Sequence, residues 1–447
     1  MNKFIETLKN IWKIEDLRSR LLTTLLFVLI YRFGSFIVLP GIDPASLTAL
    51  KAQTSGGLMA LLDMFSGGAF ANASIFALGI MPYISASIVI QLLTIAVPYF
   101  QKMQREGESG RRKMNQITRY LTVAILLLQG PSYLVNLNMQ LRQTGVALPE
   151  GFWFQASSTI ILCAGSMFVM WLGERITDKG IGNGISFIIL VGIIARFPNA
   201  IVAEFASRVT DESGGLIMFL TEIIFLLIVI GASIMLVQGT RKIPVQYAKR
   251  IIGNKQYGGV RQYIPLKINA AGVMPIIFAQ AIMFIPITIV GFSKSESMRG
   301  FIGAFMDNNS FWYNFVFVIL IILFTYFYTA ITINPTQMAE ELKRNNGFIP
   351  GVKPGKHTAE YLDTIMSRIT LPGSIFLAII AIMPAFASIF GVNRSFAQFF
   401  GGTSLLILVG VILDTLQQIE SHLLMRHYDG LLKTGRVKGR TGGVSAY

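Results

Sequence analysis

The stretch FALGIMPYISASIVIQL, Phe76 to Leu92, is long and apolar enough for a bilayer, yet it carries Gly79, Pro82, Ser85, Ser87 and Gln91. Small, polar and helix-breaking residues suit a helix that faces a tightly packed neighbour or a watery cavity rather than lipid. The stretch therefore asks for a membrane protein with an interior.

Composition agrees. Of 447 residues, 53% are hydrophobic and 14% charged, against about 25% charged in soluble proteins. Apolar runs near the roughly 20 residues that span a bilayer fall at 21–39, 74–97, 118–138, 153–173, 183–202, 215–238, 269–292, 311–333, 369–390 and 400–421, ten in all. An apolar piece at 58–66, with Gly56 and Gly57 before it and Gly67 and Gly68 after it, is too short to cross. The single cysteine, Cys163, lies inside a span and excludes an intramolecular disulfide. Ile5, Leu8, Ile11 and Trp12 share one face of the charged segment ahead of the first span, the pattern of a helix lying on the membrane surface, and no cleavable signal peptide is expected.

Lysine and arginine accumulate in cytoplasmic loops. Thirty of the 38 occupy 1–20, 101–120, 174–182, 239–268, 335–368 and 422–447, which are alternate loops. Both termini are predicted to be cytoplasmic, and the net charge of +15 reads mainly as this bias. The basic tail (Lys433, Arg436, Lys438, Arg440) reads as a solvated or ribosome-contacting segment, with a nucleic-acid arm as the alternative. Five spans followed by five more imply inverted repeats, because an odd count makes the second half enter from the opposite side. The expected organisation is an amphipathic segment at 1–20, a first five-helix half at 21–205, a second at 206–421 with long basic loops at 239–268 and 334–368, and a cytoplasmic tail at 422–447. Loops of that length are often functional.

Catalysis finds little support. His357, His422 and His427 all fall in cytoplasmic segments, and no metal-binding Cys/His cluster is present. Gly351 to His357 approaches a phosphate-binding loop but lacks one spacer residue and the hydroxyl after Lys356. Neither an enzyme, a cofactor nor a metal is expected. Candidate ionisable residues within spans are Arg32, Glu222 and Asp414, where burial costs at least about 2.5–3.5 kcal/mol. They read as snorkelling or packing residues. No paired carboxylates can be assembled from them, which argues against an ion-coupled small-solute carrier, the alternative that inverted repeats and interrupted helices leave open.

The motifs are more specific than this. FSGGAFANASIFALGIMPYISASIVIQLLT (Phe65–Thr94), EGESGRRK (Glu106–Lys113), GIGNGIS (Gly180–Ser186), PLKIN (Pro265–Asn269), Asn334-Pro335 and GGTSLLI (Gly401–Ile407) closely resemble, in order and spacing, the SecY family of channel subunits of the bacterial Sec translocon. The resemblance implies an all-α membrane protein of ten helices in two inverted halves around a pore. It would lie in the bacterial cytoplasmic membrane, pass unfolded secretory polypeptides across it, and release hydrophobic segments sideways into lipid. Implied partners are SecE, SecG, the SecA ATPase, the ribosome, signal sequences, unfolded client proteins and membrane lipids.

The family's functional positions can be carried over to this chain. The pore ring would be Ile80, Ile84, Ile185, Ile189, Ile277 and Ile407; Ile80 and Ile84, like Ile185 and Ile189, lie one turn apart and point the same way. A narrow apolar collar expels water, so it blocks ions while yielding to a passing chain. The plug would comprise Leu58, Leu61, Leu62, Met64, Phe65, Gly67 and Gly68, with the glycines as hinges. At the lateral gate, Ser85 and Gln91 would face Asn269 and Ile285. SecA or the ribosome would dock on Arg241, Lys242, Lys249, Arg250, Lys255, Arg261 and Lys353. Here the chain departs from the family pattern: Asn254 and Lys255 occupy a commonly paired arginine site, and Lys353 replaces an arginine, so the planar bidentate fork is lost while charge is partly kept.

Overall fold

The computed structural model describes residues 14–44, 63–143, 151–210, 215–247, 250–252, 255–257, 261–292 and 310–434, with Trp12, Leu47 and Pro149; within these, the side chains of 105, 143, 210, 250–252, 255–257, 261, 284–292 and 423–434 are excepted. Seven described helices are long and apolar enough to cross a membrane: α4 (Glu108–Gln143), α5 (Phe152–Lys179), α6 (Gly184–Thr210), α7 (Gly215–Gln238), α9 (Phe311–Thr332), α11 (Lys356–Ile389) and α13 (Gly402–Thr434). The pair α2 (Met81–Ala96) and α3 (Pro98–Arg105), bent by 103°, makes an eighth candidate when counted as one span. Val97 between them is extended, the conformation that the following Pro98 imposes. Helices α1 (Glu15–Gly34) and α8 (Met274–Phe292) occupy the first and seventh expected spans.

Several boundaries move from those expected. Helix α1 begins at Glu15, inside the segment expected to lie on the surface, with Glu15 and Asp16 in its first turn, where acidic groups complement the helix dipole. The second span, expected from residue 74, becomes helical only at Met81: Gly79 turns the chain at φ +55°, and Pro82 sits in the first turn, where no backbone donor is missed. Those two residues start a helix rather than break one. Helix α11 starts at Lys356, well ahead of 369, and α13 runs on to Thr434, beyond 421.

Packing repeats between the halves. In the first, α2 lies on α4, α4 on α5, and α5 on both α1 and α6; in the second, α8 lies on α9, α9 on α11, and α11 on both α7 and α13. The halves meet where α6 touches α7 and α13, and where α8 touches α2 and α4. One large hydrophobic cluster runs through both contacts.

Outside the bundle, β1 (Thr240–Tyr247) pairs antiparallel with β4 (Arg261–Lys267), Thr240 opposite Lys267 and Gln246 opposite Arg261. A short hairpin of β2 (Arg250–Ile252) and β3 (Lys255–Tyr257) lies between them. Strand β1 also pairs with β5 (Gly347–Phe348), which follows α10 (Pro335–Arg344) in the second long loop. Only Gln246 and Tyr247 engage β5, so Pro244, which cannot donate to a ladder, has no neighbouring strand on that side. The two loops thus share one small domain, with Ile243, Val245, Leu266, Leu342, Ile349, Leu362 and Met366 as its core.

Candidate functional site

Ile80, Ile84, Ile189 and Ile407 are buried at 8% exposure or less, and they lie with the partly buried Ile185 and Ile277 in the cluster shared by both halves. Each falls at or near a helix start. Ile80 caps α2 and its carbonyl accepts from the Ile84 N–H at 3.2 Å. Ile185 is the second residue of α6, whose first turn is capped by the Asn183 side chain accepting from the N–H groups of Ile185 and Ser186. Ile277 and Ile407 lie in the opening turns of α8 and α13. Initial turns carry fewer backbone hydrogen bonds than helix centres.

Against this cluster lies the end of the short apolar segment. Leu58, Leu61 and Leu62 are outside the described residues, whereas Asp63, Met64 and Phe65 form a helical end, with Met64 and Phe65 in the same cluster. The chain then turns through Gly67 (φ +65°) and Gly68 (φ +94°), conformations that disfavour other residues. It sits directly on α6: a Cβ on Gly192 would lie 2.9 Å from the Phe65 carbonyl oxygen and 3.1 Å from the Gly67 nitrogen. Gly192 is one turn beyond Ile189, so collar and seat share one helix face.

Polar groups fasten this end from both sides. From α1, the Tyr31 hydroxyl donates to the Ser66 carbonyl at 3.0 Å and Arg32 donates to the Gly67 carbonyl at 2.7 Å. From α6, Arg196 pairs with Asp63, whose other oxygen accepts the Ala71 N–H at 2.7 Å. Arg32, expected to snorkel, donates instead to the turn at Gly67. Asp63, Gly192 and Arg196 were missed by sequence reasoning; the available signals were an acidic residue in an otherwise apolar segment and an arginine inside the expected span at 183–202.

Helix α8 meets α2 and α4; Ser85 and Gln91 lie on α2, and Asn269 lies in the turns before α8. Gln91 donates weakly to Ser87 on its own helix at 3.5 Å, and Asn269 donates to the Gly272 carbonyl at 2.9 Å in its own turn, leaving its buried side-chain oxygen without a partner. Ile285 lies in α8, its side chain outside the described residues.

Of the expected docking residues, Arg241 and Lys242 are exposed on β1 and Lys353 is exposed before α11. Arg250, Lys255 and Arg261 have described backbone only, and Lys249 lies outside the described residues. Strand pairing brings the two basic loops together.

The expectation that paired carboxylates are absent is corrected. Arg208 donates to Glu204 at 2.9 Å and to Glu222 at 2.5 Å, all three buried, and also to the Gly391 carbonyl at 2.9 Å. Glu204 accepts the Asn393 N–H at 2.9 Å as well. The cluster ties α6, α7 and the turn after α11 together. Glu204 and Arg208 are one turn apart in sequence and were legible as a pair; Glu222 joins only through packing of α7. Asp414 is exposed.

A family model described as SecY matches residues 74–416. The protein translocase subunit SecY of Streptomyces coelicolor is 43% identical, with 94% of this chain and 98% of that one covered. That of Aquifex aeolicus is also 43% identical, with 96% and 99% covered. Among solved structures, one titled as a protein-conducting channel has a TM-score of 0.63 at 17% identity over 94% of this chain and 95% of that one. Sec61 from a canine ribosome-channel complex has 0.58 at 16% identity over 94% and 95%. These two likenesses concern the fold.

Proposed function

The chain belongs to the SecY family, and on that premise we propose that it is a protein-conducting channel that passes unfolded polypeptides across a membrane and releases apolar segments sideways into it. The observation that carries this reading is the seating of residues 63–68 on Gly192, one turn beyond Ile189, within the hydrophobic cluster that also contains the six expected collar isoleucines. Isoleucine side chains offer no hydrogen bond to a passing chain and cannot hold ions, so a collar of them seals by excluding water. Because the collar residues sit in opening turns, small shifts of helix ends widen it without unwinding whole helices. The Asp63–Arg196 pair and the Arg32 contact hold the stopper in place until a polypeptide displaces it.

The full architecture is ten crossing helices in two inverted halves, with both termini cytoplasmic in a bacterial inner membrane. The gate lies where α8 meets α2 and α4. An apolar signal segment leaves through it because each CH₂ moved from water into lipid contributes roughly 0.8 kcal/mol. The shared sheet and its exposed basic residues dock the ribosome or the SecA ATPase, and SecE and SecG complete the complex. The subunit supplies a path while the motor or translation supplies the work, so it is not itself an enzyme.

Reconstitution tests the reading. Liposomes containing this chain with SecE and SecA should import an unfolded secretory precursor only when ATP is present. Ion-coupled uptake of a small solute by the purified subunit alone, without precursor import, would overturn it.

A further inference from the structure

Arg32 on α1 and Arg196 on α6 close on the same turn of chain. A Cβ at Gly67 would lie 2.9 Å from an Arg32 nitrogen, and one at Gly68 would lie 3.2 Å from an Arg196 nitrogen. Arg32 donates to the Gly67 carbonyl at 2.7 Å, and Arg196 pairs with the buried Asp63. One carboxylate therefore faces two guanidiniums, and both it and the accepting carbonyl belong to the segment at 63–68. The guanidiniums belong to the walls. Arg32 also lies 5.3 Å from the centroid of the Phe36 ring, which holds it on α1. On α6, Ile189, Gly192 and Arg196 recur at three- and four-residue steps and so share one face. Along that face the order is collar, seat and cation.

The consequence rests on the reading of residues 63–68 as a stopper that leaves its seat. When the segment leaves, it takes Asp63 and the Gly67 carbonyl with it, while both arginines stay. Removing one partner of a buried ion pair leaves the other charge uncompensated. A passage with low-dielectric walls focuses the field of the charges that line it, and arginines lining a pore favour anions. The isoleucine collar carries no charge and so expresses no such preference. We propose that Arg32 and Arg196 make the open path charge-selective: they attract anions and acidic stretches of a passing chain and hold back stretches rich in lysine and arginine. In the closed state Asp63 offsets one of the two charges, so the selectivity is exposed only by opening.

The test uses the full-length chain with its companion subunits in planar bilayers, opened with a synthetic signal peptide. Under a potassium chloride gradient the reversal potential should be displaced toward that of chloride. Arg32→Gln and Arg196→Gln should each move it toward that of potassium, and the double variant should move it furthest. Arg196→Lys, which keeps the charge, should stay near the parent. Asp63→Asn should leave the open-state value unchanged, because that carboxylate has departed with the stopper. In vesicles without a membrane potential, a precursor with a run of lysines in its mature part should be imported several-fold more slowly than one with glutamates there, and the double glutamine variant should erase the difference. Normal opening with the parental reversal potential in both glutamine variants, and an unchanged ratio of the two import rates, overturns the proposal while leaving the channel reading intact. Failure of the signal peptide to open any conductance in the parent overturns the stopper reading and this proposal with it.

Discussion

A Cβ on Gly192 would lie 2.9 Å from the carbonyl oxygen of Phe65, so the segment at 63–68 rests on the bare backbone of α6. Overpacking of this kind costs roughly 1–3 kcal/mol. Gly192→Ala should push the stopper off its seat while leaving α6 helical, because alanine favours helix more than glycine does. Single-channel recording of the resting complex should show raised ion conductance; an unchanged closed state would mean that the seat is not part of the seal.

The Asp63–Arg196 pair should act in the same direction through charge. Asp63→Asn keeps an acceptor for the Ala71 N–H but removes the ion pair, a loss of about 1–3 kcal/mol at a buried polar group. Resting leak and acceptance of precursors with weak signal sequences should both increase. Arg196→Asp with Asp63→Arg should restore part of the closure; identical behaviour of the single and double variants would exclude a direct pairing role.

At the collar, Ile84→Asn and Ile407→Asn replace a dry wall with a group that holds water. Ion leakage should rise in each, whereas Ile84→Leu, which keeps apolar volume, should remain close to the parent. Conductance that is unchanged in both asparagine variants would place the constriction elsewhere.

Arg208→Met removes the guanidinium and leaves Glu204 and Glu222 facing each other inside the bundle. Breaking a buried ion pair by removing one partner costs about 3–5 kcal/mol. The unfolding temperature in detergent should fall markedly, and Glu222→Gln in the same chain should recover part of it by relieving repulsion between the carboxylates.

On the shared sheet, Arg241→Glu and Lys242→Glu reverse two exposed charges without touching the Ile243 and Val245 core. Association with ribosomes should slow and lose salt dependence, as expected for steering charges, while thermal stability stays near the parent. Unaltered association rates would move the docking surface off β1.

Much was legible in the order of residues. The apolar runs and alternating basic loops are local properties and determined a multi-span helical protein with an interior. The motifs from Phe65 to Ile407 carried the family. The same local signals misplaced the start of α2, since a glycine and a proline read as interruptions within a span are, in the folded chain, the turn and first helical residue that begin it. They also left Ile243 and Val245 inside a loop, because the core they join is completed by Leu342, Ile349 and Leu362, about a hundred positions away.

What the sequence determined by itself is that the chain is a multi-span helical protein and which residues are available to line a path, because hydropathy and charge are properties of each residue that no distant neighbour alters. Tertiary structure alone decided that Asp63 meets Arg196, that Gly192 is a seat, and that Glu222 joins Glu204 around Arg208. Such pairings depend on how helices distant in sequence cross, and no periodicity within one helix encodes the identity of its neighbour's side chain.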